Sequence, residues 1–178
     1  MKKNILRALP LITLIIIIVI GIFSIQKSKN KQVLKNGSTE IINLPDFSFR
    51  DLYDQTQTFS KNDLLEKTSL INIFASWCTT CIQEHEVLLK LSASGIINMY
   101  GIAWRDMDEN TIRYLEKNSN PYLKVGTDNK GKLTKLFSIR GVPETFIINK
   151  KGQIIYHIEG NIDEADLEYI EKIAGENI

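Results

Sequence analysis

Cys78 and Cys81 are the two cysteines of the chain, and only Thr79 and Thr80 separate them in Trp77–Cys78–Thr79–Thr80–Cys81. A bridge between them closes too small a loop to contribute much chain-entropy stabilisation, so a structural staple explains the pair poorly. Just before it runs Ser-Leu-Ile-Asn-Ile-Phe-Ala (69–75), a short apolar stretch suited to a buried central strand. After it, Ile82, Leu88 and Leu91 fall near helical spacing and predict a helix over about 78–92. Cys78 then stands at a helix N-terminus, where the dipole and unpaired N–H groups favour a thiolate and lower the thiol pKa. The chemistry expected of such a pair is thiol–disulfide exchange: an exposed Cys78 attacks a disulfide, and the more buried Cys81 resolves the mixed disulfide.

Other uses of a Cys-x-x-Cys pair fit less well. Covalent haem attachment needs a histidine directly after the second cysteine, and Ile82 stands there. Zinc sites take four ligands, often from two such pairs, and there is no second pair. Copper is the closer rival. His85 follows Cys81 by four residues, on the same helix face, and thiolates with imidazole suit that metal. A copper-binding chaperone using Cys78, Cys81 and His85 is therefore the alternative of a different class. The strand–Trp–Cys context is better explained by thiol chemistry, with no cofactor beyond the Cys78–Cys81 disulfide.

The elements that must hold this pair can be read from hydrophobic period and turn residues. A second strand is expected over 96–103. Asp108 reads as the N-cap of a helix through Asn118, with Ile112 and Leu115 inward and Asn120–Pro121 ending it. Leu133, Leu136 and Phe137 mark a short helix. Strands over 145–149 and 153–158 flank the hairpin signal Lys150–Lys151–Gly152. Leu167, Ile170 and Ile173 line a closing helix that starts near Asp163. The order β-α-β-α, connector, β-β-α implies an α/β fold with a mixed sheet flanked by helices.

Lys2, Lys3 and Arg7 precede an uncharged apolar run over 8–25. As a helix it reaches roughly 27 Å, close to the hydrocarbon thickness of a bilayer. Val19–Ile20–Gly21 is a poor cleavage site, so an uncleaved signal-anchor helix (1–25) is expected over a cleaved signal peptide. Residues 26–40, rich in Lys, Asn and Ser, read as a tether, and 41–178 as one folded domain. Lys27, Lys29, Lys31 and Lys35 nearly balance the basic residues before the run, so charge does not set the orientation. A net charge of +1 gives no electrostatic reason to expect a nucleic-acid partner.

Ala-Ser-Trp-Cys followed by Gln83–Glu84–His85, then Asn120–Pro121–Tyr122 and Gly141–Val142–Pro143–Glu144–Thr145–Phe146, together resemble the thioredoxin-like superfamily. More narrowly the chain resembles its cytochrome c maturation branch, the DsbE (CcmG) thiol:disulfide interchange proteins, over roughly 44–163. The resemblance implies a thioredoxin-like fold in which Pro143 is cis and packs beside the dithiol. It implies that the backbone of Val142 offers strand-like hydrogen bonds to a bound substrate segment. Glu84 and Glu144 match acidic residues that this branch places around its active site. A carboxylate near Cys81 can shuttle its proton and should raise that thiol's pKa. Trp77 is expected to cover the dithiol, with Trp104 and Tyr156 as ordinary core and sheet residues and His157 pointing to solvent.

Two departures stand out. Asn72 occupies the position of thioredoxin's buried aspartate, as in the maturation branch, and cannot take a proton at neutral pH. Thr79–Thr80 replaces a dipeptide that usually contains proline, so the local backbone and reduction potential are expected to differ from the family's. The resemblance implies a reductase on the periplasmic face of a bacterial inner membrane. It would keep apocytochrome c Cys-x-x-Cys-His thiols reduced, directly or through a maturation partner, and a membrane thiol reductase would recharge it. A general reductase of exported proteins, or a disulfide-forming oxidase, is the alternative within enzymes.

Overall fold

The computed structural model describes residues 42–175; the expected anchor and tether lie outside the described residues. Strands β1 (Ile42–Asn43), β2 (Ser48–Asp51) and β3 (Thr58–Ser60) come first, followed by a 3-10 turn at Lys61–Leu64. Then follow β4 (Ser69–Phe74), α1 (Thr79–Ser94), β5 (Asn98–Trp104), α2 (Asp108–Asn118), β6 (Lys124–Asp128) and α3 (Leu133–Leu136). The chain closes with β7 (Glu144–Ile148), β8 (Gln153–Glu159) and α4 (Glu164–Gly175). Among the described residues no helix is long and apolar enough to cross a membrane.

The strands form one sheet in the order β1-β8-β7-β4-β5-β6-β2-β3. β4, β5 and β6 run parallel, while β7 pairs antiparallel with β4 and β8 with β7. This is the mixed sheet with flanking helices that the sequence predicts, extended by strands it did not announce. β4 lies at the centre and every residue of it is buried, as a strand covered on both faces requires.

Alternation along β4 assigns the two faces. Ile71 and Ile73 join Tyr100, Ile102, Phe146 and Ile148 in a core completed by Phe47, Phe49, Phe59 and Phe137. Here aromatic rings meet edge-on or stacked: Phe59 lies 5.2 Å from Tyr100, and Phe47 5.3 Å from Phe59. Such pairs add about 0.5–1.5 kcal/mol each beyond burial. The other face carries Asn72 and Phe74, met by Glu84 of α1 and by Tyr114 of α2.

Helix α1 differs from its prediction in an informative way. It ends as expected of a glycine stop, with Gly95 at φ 65° and its N–H bonded to Ser92 O. Its buried face, however, is Cys81, Glu84, His85, Leu88 and Leu91, and Ile82 is exposed. Two polar side chains occupy positions an amphipathic reading reserves for apolar ones. In α2 the N-cap is Met107 rather than Asp108; Asp108 instead forms an ion pair with Arg50. Thr111, Tyr114 and Leu115 are its buried residues, with Ile112 only half-buried.

Candidate active site

The redox pair sits beyond the carboxyl end of β4, where parallel strands leave a crevice and α1 begins. Cys78 and Cys81 are joined by a disulfide. Cys78 is the N-cap of α1, and its sulfur accepts the backbone N–H of Cys81 at 3.1 Å. That N–H is one of the donors a helix start leaves unpaired, so the cap stabilises negative charge on Cys78 once the bridge opens. Thr80 Oγ1 lies 3.3 Å from the same sulfur. Both cysteines are largely covered, Cys78 at 5% and Cys81 at 2% exposure. The expected difference in depth is therefore small, and Cys78 offers an attacking edge rather than an exposed side chain.

Across the crevice the Val142–Pro143 peptide is cis, and Val142 O stands 3.6 Å from Cys78 Sγ. In the disulfide this is a contact without a proton; a reduced Cys78 thiol could donate across it. Glu144 follows at the start of β7, buried, and works on this loop rather than on the sulfurs. Its Oε1 accepts Arg140 N at 2.7 Å and Gly141 N at 3.1 Å, fixing the segment that leads into Val142. Its Oε2 accepts from His157 Nε2 at 2.8 Å. His157 thus does not point to solvent: its side chain is 15% exposed and its ring stacks on Phe146 at 4.1 Å. A buried carboxylate needs such a partner, and β8 supplies it through the Phe146–His157 register.

Glu84 lies one turn beyond Cys81 and is fully buried. Asn72 Nδ2 donates to its Oε1 at 2.9 Å, and Ile162 N to its Oε2 at 2.8 Å. Asn72 also donates to Thr145 Oγ1 at 3.0 Å and accepts from Tyr122 O–H at 2.6 Å. Tyr122, which the sequence marks only as part of the Asn120–Pro121–Tyr122 motif, closes this polar chain. Burial, and then the charge of Glu84, push its phenol well above the ordinary range. The same causes in the same order push Tyr114 up to about 12.

Trp77 directly precedes Cys78 on the loop that leads into α1. It is 58% exposed, its indole N–H donating to Arg105 O at 3.3 Å and its ring 6.4 Å from Trp104. Behind it Asp106 accepts Ser76 N at 2.6 Å, Ser76 Oγ at 3.0 Å, Met107 N at 2.9 Å and Thr111 Oγ1 at 3.0 Å. This buried aspartate ties the redox loop to the start of α2. No local pattern marks it, because Ser76 lies thirty residues away in sequence.

His85 lies on the buried face of α1 and is bonded through its ring. Its Nε2 faces Asn118 O at 3.0 Å and Ser119 O at 2.8 Å, and carbonyls only accept, so Nε2 carries the proton. Nδ1 is then free to accept Tyr114 O–H at 3.0 Å. Both ring nitrogens are thereby engaged in joining α1 to the end of α2. Among the described residues no group of three or more His, Cys, Asp or Glu side chains could hold a metal ion.

Residues 37–172 match the redoxin family. The chain is 31% identical over 125 residues to the thiol:disulfide interchange protein DsbE of Xylella fastidiosa, covering 70% of this chain and 64% of that protein. With DsbE of Yersinia pestis it shares 30% identity over 164 residues, 90% of this chain and 87% of that one. For three of the curated relatives the chain spans only 48%, 64% and 66% of their length. In structure it is similar to a thioredoxin family thiol:disulfide interchange protein from Chlorobium tepidum. The TM-score is 0.65 at 24% identity, covering 78% of this chain and 99% of that one.

Proposed function

We propose that this chain, which belongs to the redoxin family as a DsbE-type thiol–disulfide oxidoreductase, reduces disulfides of exported proteins at the outer face of a bacterial inner membrane. Residues 41–178 form the working domain, and the apolar run within 1–25 anchors it. Its substrate class is the Cys-x-x-Cys-His disulfide of apocytochrome c or a thiol partner in haem attachment. An oxidising compartment is where such thiols need a dedicated reductant.

The observation that carries the reading is the Cys78–Cys81 pair at a helix start, facing the Val142 carbonyl across the crevice. In the reduced enzyme the Cys78 thiolate attacks one sulfur of the substrate disulfide. A Cys78–substrate bond forms, and the other substrate sulfur leaves as a thiolate that takes a proton. Cys81, deprotonated, then attacks Cys78 Sγ. The Cys78–Cys81 bond forms, and the second substrate sulfur leaves and is protonated. Two electrons pass to the substrate, and the enzyme ends as the disulfide. Glu84, one turn from Cys81, takes and passes on the Cys81 proton in this reading, and the Val142 backbone holds the substrate strand. A membrane thiol reductase restores the dithiol.

The test uses the full chain in detergent with a disulfide-bonded Cys-x-x-Cys-His peptide. Cys81→Ser should trap a mixed disulfide with the peptide through Cys78, whereas Cys78→Ser should trap none. A reduction potential near or below roughly −200 mV supports the reductant, and a value close to roughly −120 mV would assign the pair to disulfide formation instead.

A further inference from the structure

We propose that the Thr80 hydroxyl is a further catalytic residue, donating a hydrogen bond to the Cys78 thiolate and so favouring the reduced, nucleophilic state of the pair. The inference rests on the reading that Cys78 is the attacking thiol, and it assigns a role to the second residue of the Thr79–Thr80 dipeptide. Thr80 is the second residue of α1, and its Oγ1 lies 3.3 Å from Cys78 Sγ.

In the oxidised pair neither sulfur carries a proton, so the hydroxyl can only donate to Cys78, and to a weak acceptor. Reduction puts a full negative charge on that sulfur. The O–H···S contact then becomes charge-assisted, roughly twice as strong as between neutral groups. The other donor to this sulfur, Cys81 N–H at 3.1 Å, is fixed in the backbone, while a hydroxyl can rotate to follow the sulfur. Val142 O, at 3.6 Å, opposes the thiolate and favours the protonated thiol.

The titratable groups on the surrounding elements are turned to other partners: Glu84 of α1 to Asn72 and Ile162, Asp106 to Ser76 and Thr111, and Glu144 of β7 to the Arg140–Gly141 backbone and His157. Among the described residues, the donors at the Cys78 sulfur are the Thr80 hydroxyl and the Cys81 N–H. The sign of the dipeptide's effect follows. Because the hydroxyl contact strengthens on reduction, it stabilises the dithiol form and makes the pair more oxidising than the same site without it.

The test titrates the Cys78 thiolate by ultraviolet absorbance and measures the equilibrium with glutathione, using the reduced full chain in detergent. Thr80→Val and Thr80→Ala should each leave about tenfold less thiolate below the midpoint, raising the apparent pKa by about one unit. A tenfold change in that equilibrium makes the pair about 30 mV more reducing. Thr80→Ser should keep the parent values, and so should Thr79→Val, whose side chain is not part of the contact. If Thr80→Val and Thr80→Ala titrate like the parent while Cys78→Ser is inert, Thr80 loses its role and the nucleophile assignment stands. If Thr80→Ser titrates like Thr80→Val, the hydroxyl is not the cause and the proposal is overturned. Retained exchange in Cys78→Ser would instead remove the underlying reading.

Discussion

Glu84 brings two carboxylate oxygens into a place with no solvent, and both are met by N–H donors, from Asn72 and from Ile162. Asn72 cannot exchange a proton, but it can orient Glu84 while its own oxygen is held by Tyr122. The carboxylate is therefore the ionisable member of the Tyr122–Asn72–Glu84 chain whose ordinary range lies below neutrality, and it sits one turn from the resolving thiol. Glu84→Gln preserves shape but cannot take that proton. The resolving step should slow on the order of 10²-fold, the usual size of a lost general base, while attack by Cys78 is little changed. Rapid acid quenching should then show the mixed disulfide accumulating in Glu84→Gln; parent-like resolution would end the proton-shuttle reading. Glu84→Ala additionally strips the acceptor from two buried donors and should cost about 1–3 kcal/mol in urea unfolding.

At the scale of elements, β7 and β8 do more than complete the sheet. They hold Glu144 between the Arg140–Gly141 backbone and His157, so the loop bearing Val142 is set from behind by a carboxylate that does not touch the sulfurs. His157→Phe keeps the stacking partner for Phe146 but removes the imidazole donor to Glu144. It should destabilise the fold by about 1–3 kcal/mol and raise KM for a peptide disulfide more than it lowers kcat, read in steady-state peptide reduction. An effect on kcat alone would place His157 in the chemistry instead. The sequence showed β4, α1, β5 and the β7–β8 hairpin because their apolar periods are local signals. It hid β6, Lys-Val-Gly-Thr-Asp, whose strand character comes from parallel pairing with β5 rather than from its residues. Gly126 is there for packing: a Cβ would stand 3.0 Å from Phe59 Cδ1 and 3.1 Å from Phe49 Cβ. β1, β2 and β3 are too short to show a period. In the site, Cys78 and Cys81 were legible from their spacing, and Pro143 and Glu144 only through the family resemblance. The Asp106 tie and the inward turn of His157 were not, because each depends on a partner far along the chain or across strands.

For the domain as a whole, buried phenols set how far alkali can be tolerated. Tyr122, buried and bonded to Asn72, has its pKa pushed well above the ordinary value by burial and then by Glu84. Tyr114, hydrogen-bonded to His85, is pushed up to about 12 by the same two causes. Tyr156 reaches about 12 through burial and then the charge of Asp166. A raised acid pKa in the folded state means that, above the unfolded value near 10, the unfolded chain loses its phenolic protons while the folded one keeps them. Unfolding is thereby favoured progressively as pH climbs toward and through 12, and below about pH 10 these groups contribute no slope. The thermal midpoint of the oxidised chain should be flat in this respect up to about pH 10 and fall steeply above it. Tyr114→Phe removes one such phenol, at the loss of its hydrogen bond to His85. It should lower the midpoint at neutral pH yet flatten the alkaline fall, so that the two curves converge as pH approaches 12. Parallel curves in differential scanning calorimetry would mean that Tyr114 titrates alike in both states, and that the alkaline limit is set elsewhere in the sheet.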